Sequence, residues 1–392
     1  MERVKSSATL CVVIFLLFAV SAMAFVAAAT HGLGGGVKLH AAAADSFDSF
    51  DSLQAFARAL PKAELHAHLH GSVLDMDTVR RIAREALADF AADGVVYAEL
   101  RTTPRPLRDG TTLEGYARQL LEVFAECDAE AQVLAALSAD TCRNSGDLTG
   151  ALPCEHGLIP RLLLSVDRGK SVDAAWEVVN LAVDLLKDAQ YVKYLVGIDL
   201  SGNPAKGRFE DFAGPLQHAR AAGLKVSVHC AEVYNPPDTQ AILDFSPDRL
   251  GHALHLTSDA LDRVLRNRVP VEVCPTSNVI TLGLNGHHEH PTAATWLAHE
   301  HPVSINTDDA GVFSTCLSRE YASVAAAFDL DLSQCSALAV AAFSQAFDAR
   351  TSAALLPLVR RRCDALLAAH AGSGAKSEGT VSVGAAAAAV NR

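Results

Sequence analysis

LPKAELHAHLHGS, residues 60–72, sets three histidines on alternate positions, His66, His68 and His70, behind a proline and ahead of a glycine. The run is short, largely apolar and bounded by chain breakers, which is the pattern of a strand. On a strand, positions i and i+2 share a face, so His66 and His68 point the same way and can hold one metal ion together. Two imidazoles do not complete a site. What completes it must come from other segments that end beside this one.

Seven further runs have the same character: VVYAELR (95–101), RLLLSVD (161–167), LVGIDLSG (195–202), KVSVHCAEV (225–233), RLGHA (249–253), VPVEVCP (269–275) and PVSINTDD (302–309). Helical patterns such as SVDAAWEVVNLAVDLLKDA (171–189) and FEDFAGPLQHARAAG (209–223) separate them. Eight strands alternating with helices predict an α/β fold, a (β/α)8 TIM barrel of the metal-dependent hydrolase type, with chemistry at the C-terminal strand ends. His229 ends one such run and Asp308 another. Three imidazoles and a carboxylate, with room for a water, match a catalytic zinc that keeps an open position. Taken singly, each has a plain alternative: an exposed edge-strand histidine, a hydrogen-bonded core histidine, a helix cap. Their joint position at one barrel face favours the site. Glu232, three residues after His229, and His252, ending the next strand, are candidates for acid-base work. Asp309 follows Asp308 directly and is read either as a substrate contact or as a turn residue.

The chain has 392 residues, half of them hydrophobic and a fifth charged, enough to bury a large core. A formal net charge of -12 excludes wholesale binding to nucleic acid or to an anionic membrane surface. A small anionic ligand would need a local cation. Nine cysteines without a C-x-x-C pair predict a reduced compartment. Residues 8–29, ATLCVVIFLLFAVSAMAFVAAA, carry no charge in 22 positions and predict the opposite, a secretory signal or membrane anchor over 1–30. The expected organisation is then a linker over 31–55, the barrel over 56–370 and a low-complexity tail over 371–392.

The segments LPKAELHAHLHGS, VVYAELRTTPR, RLLLSVDRGKS, VGIDLSGNP, VSVHCAEVYNP, DRLGHALH, VEVCPTSN and NTDDAGVFSTCLSREY stand in the order found in the adenosine and AMP deaminase family. Over about residues 60–360 the chain most resembles the adenosine deaminase-like branch, the N6-methyl-AMP deaminases. The resemblance implies one zinc ion held by His66, His68, His229 and Asp308, with Glu232 giving a proton to purine N1 and His252 orienting or deprotonating the water. It implies Asp309 near N7, the backbone of Gly202 at N3, and His68 and His70 facing substrate. Thr102, Thr103, Pro104, Arg105 and Asp167 would contact ribose and phosphate, Arg105 supplying the cation that the acidic surface lacks. The implied reaction takes N6-methyl-AMP to IMP and methylamine in a cytosolic monomer. The alternatives are adenosine to inosine, or an impaired deaminase fold that only binds. A cytidine-deaminase type of zinc site is a poor rival, because no P-C-x-x-C follows the H-x-E at 287–289 and Cys274 reads as a buried strand residue.

Three departures stand out. Only 30 residues separate His68 from Glu99, which shortens the lid region near 74–90. His70 occupies a position that is asparagine or aspartate in the family. Residues 138–158 read as a surface insertion.

Overall fold

The computed structural model describes residues 49–69, 73–139 and 157–377. Eight strands run in chain order around one parallel sheet: β1 (Lys62–His68), β2 (Val95–Thr102), β3 (Ile159–Asp167), β4 (Leu195–Ser201), β5 (Lys225–Cys230), β6 (Arg249–His252), β7 (Val271–Val273) and β8 (Val303–Ile305). All seven consecutive pairs are parallel. The ring closes beyond the end of β8. Asp308 N donates to His66 O (2.8 Å) and His68 N to Asp308 O (3.0 Å), so β1 is stitched to the chain three residues past β8.

The strands are continuous Val, Leu and Ile runs because helices cover the outside of the barrel and side chains fill the inside. Every residue of β2 is buried. The helices follow from caps and apolar spacing. Between β1 and β2, Asp75 accepts from Thr78 N (2.8 Å) and starts the helix Met76–Ala92, which buries Met76, Val79, Ala83, Leu87 and Phe90 at spacings of three and four. Among the described residues this helix is the only element of the crossover, so the shortened lid region holds one helix here. Ser171 and Thr257 start the helices Val172–Leu185 and Ser258–Asn267 in the same way.

The strand positions agree with the expectation for β1 to β6, whereas β7 and β8 keep only three residues each. The chain turns early there because Cys274 is already the N-cap position of the helix Pro275–Leu282, which opens on a proline, and Asn306 folds back to accept from Leu65 N (3.0 Å) through its side chain. The helix Phe50–Ala59 begins inside the stretch read as linker, and the last helix, Ala349–Ser377, runs past residue 371. Residues 140–156, most of the expected insertion, lie outside the described residues, as do residues 8–29. The expectation of a membrane anchor is corrected: among the described residues no helix is long and apolar enough to cross a membrane, and the expected signal over 1–30 lies outside them. Cys127, Cys230, Cys274, Cys316, Cys335 and Cys363 are free thiols.

Candidate active site

The C-terminal strand ends bring His66, His68, His229 and Asp308 together. His68 Nε2 lies 3.2 Å from His229 Nε2, and Asp308 Oδ1 lies 3.5 Å from His68 Nε2 and 3.7 Å from His66 Nε2. Two ligands each about 2.0–2.1 Å from one zinc at tetrahedral angles are about 3.3 Å apart, so these spacings are those of a common ion. Among the described residues the buried His66 Nε2 has no hydrogen-bond partner, while its Nδ1 sits 2.6 Å from Glu272 Oε2. Burial, with Arg101 nearby, holds the His66 pKa well below its ordinary value, so the ring is neutral and its bare nitrogen faces the cluster. These donors fit a zinc ion in type: one nitrogen from each of the three histidines lies within 4.8 Å of the others, and Asp308 Oδ1 approaches two of them. A second grouping, His66, His252, Cys274 and Asp308, is also close enough. That set lacks His68 and His229, whose nitrogens lie closest to one another.

The cluster rests on a layer of buried charge. Glu272 holds His66, and Asp199 holds His229 through Nδ1 (3.1 Å). Arg101 joins the two carboxylates, at 2.9 Å to Asp199 and 3.0 Å to Glu272. Arg249 then links Glu272 to Glu99, both at 2.6 Å. Burial opposes ionisation of Asp199, yet His229 and Arg101 hold its carboxyl well below the usual range. Burial likewise opposes a charge on His229, but Asp199 lifts it to about 9 in the metal-free chain. Such outer partners fix the tautomer and orientation of metal-binding rings. Ser277 Oγ does the same for Asp308, donating to Oδ2 at 2.6 Å.

His252 and Asp308 sit at φ +61° and +60°, in the left-handed region. Departures of this kind cost about 1–3 kcal/mol each and collect at functional sites. Glu232 faces His252 across 3.9 Å, Oε2 to Nε2. Asp309 is the N-cap position of the short helix Ala310–Phe313, but among the described residues its side chain makes no capping hydrogen bond. Burial, with Asp308 adjacent, raises its carboxyl to about 7.

The other expected residues are placed less uniformly. Thr103, Pro104, Arg105 and Asp167 line an open cleft of about 130 Å³ together with Lys170 and Glu177, and none of the four cluster residues borders it. Gly202 has φ +99°, and a Cβ there would meet Asp167 Oδ1 at 2.3 Å, so this turn needs glycine. The Thr102 hydroxyl is engaged by Leu69 O (3.1 Å) and Tyr116 OH (2.9 Å) and belongs to the packing of β2. His70 lies outside the described residues. Sequence reasoning passed over Glu99, Arg101, Asp199 and Glu272. Their signal was there, since each is a charge inside an otherwise apolar strand run.

A family model described as Adenosine deaminase matches residues 73–361, more than half of the chain. The chain belongs to the adenosine deaminase family. As a member it is a hydrolytic deaminase of purine compounds. It is 38% identical over 281 residues to the N6-mAMP deaminase of Arabidopsis thaliana, covering 71% of this chain and 76% of that one. The N6-Methyl-AMP deaminase of Homo sapiens is 32% identical, over 71% of this chain and 86% of its own length. The crystal structure of Arabidopsis ADAL complexed with IMP superposes with a TM-score of 0.67 at 31% identity, covering 79% of this chain and 98% of that one. The family match begins after β1, so the histidine pair on that strand is joined to the matched region by the geometry of the cluster.

Proposed function

We propose that this family member is a zinc-dependent N6-methyl-AMP deaminase, releasing IMP and methylamine. The observation that carries the reading is the convergence of His66, His68, His229 and Asp308 at ligand-to-ligand spacing, beside Glu232 and His252. The relatives named for the same reaction support the choice of substrate.

A zinc ion held by the four residues would supply Lewis-acid activation of a water. The chain's own residues do the rest. Glu232 delivers a proton to purine N1, so that C6 accepts the water oxygen without charge accumulating on the ring. His252 orients the water, and Asp309 holds the base near N7. Gly202, having no Cβ, lets the backbone approach N3. Overall, water gives its oxygen to C6, one proton to N1 and the other to the departing methylamine. Arg105, with Thr103, Pro104 and Asp167, lines the cleft assigned to the ribose and phosphate.

The test is release of IMP from N6-methyl-AMP, run beside AMP and adenosine on the zinc-loaded full chain. Turnover of the methylated nucleotide that falls about 10²- to 10⁴-fold in Glu232→Gln supports the reaction and the proton donor together. Faster turnover of adenosine moves the assignment to a nucleoside deaminase. One zinc bound with no turnover of any substrate favours the impaired-binder reading, for which the single-helix crossover between β1 and β2 is the specific observation.

A further inference from the structure

His252 has neighbours that the reaction as proposed does not use. Its Nδ1 lies 3.0 Å from Asn278 Nδ2, and Asn278 Oδ1 lies 3.0 Å from His290 Nε2. On the far side, the backbone N–H groups of Ala293 and Thr292 donate to His290 Nδ1, at 3.1 and 3.4 Å. All three side chains are buried: 3% exposed at His252, 1% at Asn278 and 5% at His290.

The chain of bonds has one consistent assignment of protons. A backbone N–H can only donate, so His290 Nδ1 must be the bare, accepting nitrogen and Nε2 carries the hydrogen. His290 Nε2 therefore donates to an oxygen of Asn278. That orients the amide, whose nitrogen then donates to His252 Nδ1. With Nδ1 accepting, neutral His252 carries its hydrogen on Nε2, the atom that faces Glu232. Burial, with His252 and His287 nearby, holds His290 down to about 4, so the relay begins from a neutral ring.

Resting on the proposed deaminase reading, we infer that Asn278 and His290 are positioning residues that lock His252 as the Nε2–H tautomer, so that His252 meets the water as a hydrogen-bond donor. A ring in that state has no lone pair free at the cluster. It is therefore neither the base that deprotonates the water nor a metal ligand, which leaves His66, His68, His229 and Asp308 as the metal set. The proton released by the water passes instead to the Glu232 carboxylate, left behind when Glu232 protonates N1. The water loses one proton and Glu232 regains the one it gave.

Nitrogen-15 NMR of the histidine-labelled full chain reads the tautomer directly, with His252 identified by the signals lost in His252→Gln. The expected result is an unprotonated Nδ1 and a protonated Nε2, with and without zinc. A protonated Nδ1 overturns the inference, and this holds whether or not any purine is deaminated, so failure of the proposed reaction remains distinguishable. Kinetics supply the second arm. Asn278→Asp is isosteric but can only accept, which moves the His252 proton to Nδ1. It is expected to lower kcat about 10²- to 10³-fold with zinc content and KM unchanged. An unchanged or raised kcat would mean that His252 acts as a base, and the donor assignment falls. His290→Gln, which keeps a donor toward Asn278, is expected to retain most of the kcat that His290→Ala loses. Equal kcat in the two variants removes His290 from the relay.

Discussion

The layer beneath the histidines and the cleft beside them both carry charge, but they hold it differently. In the layer, Arg101, Arg249, Asp199, Glu272 and Glu99 are at most 1% exposed, and each touches at least two polar partners. In the cleft, Lys170 is exposed, and half-buried Arg105 lies over the Tyr116 ring at 5.7 Å. The first arrangement fixes the orientation of metal-facing rings, and any loss leaves a buried charge uncompensated. The second is more open to solvent. Rigidity is concentrated where the chemistry needs fixed atoms, and tolerance where a flexible ligand end must enter.

The comparison breaks most sharply at Arg101. Arg101→Leu leaves Asp199 and Glu272 buried with half of their compensation, and should destabilise the fold by about 3–5 kcal/mol. The midpoint of denaturant unfolding reads this, and a loss below about 1 kcal/mol would mean that water reaches the layer. Metal removal comes next. The cluster sits on the layer, so a zinc ion would add to an already formed site and would not create it. Chelation should lower stability by about 3–4 kcal/mol at zinc concentrations 100- to 1,000-fold above Kd, leaving the far-ultraviolet circular dichroism unchanged. Loss of helical signal would show that metal and barrel fold together. Ser277→Ala removes only the hydroxyl that orients Asp308. It should weaken zinc about 10- to 100-fold in a chelator competition, with little change in unfolding midpoint without metal.

What was legible in the sequence follows the same division. The strands could be placed because burial on both faces makes them continuous apolar runs, and the cluster could be found because its members end those runs. β7 and β8 were drawn too long because proline and a side-chain amide, Pro275 and Asn306, replace ladder bonds near their ends. The supporting layer was visible only as misplaced charge. Glu99 and Arg101 stand two apart in VVYAELR, yet their partners lie on β4, β6 and β7, and one-dimensional spacing cannot pair residues across a ring. Asn278 and His290 were hidden for the same reason, since a relay needs the direction of each bond.

The smallest expected effect lies in the cleft, and it tests whether tolerance there is real. Arg105 is the cation assigned to the substrate phosphate, and exposed Lys170 lines the same cleft. Removing one cation from a site that retains another should cost binding more than it costs the fold. Arg105→Ala should therefore raise KM for N6-methyl-AMP about tenfold, or roughly 1.4 kcal/mol, while kcat changes little and stability stays within about 0.5 kcal/mol. Adenosine, which has no phosphate, serves as the control, and its KM should not move. A fall in kcat with both substrates would show that the cleft is coupled to the histidine cluster. The rim would then belong to the rigid part of the molecule, and the contrast between layer and cleft would dissolve.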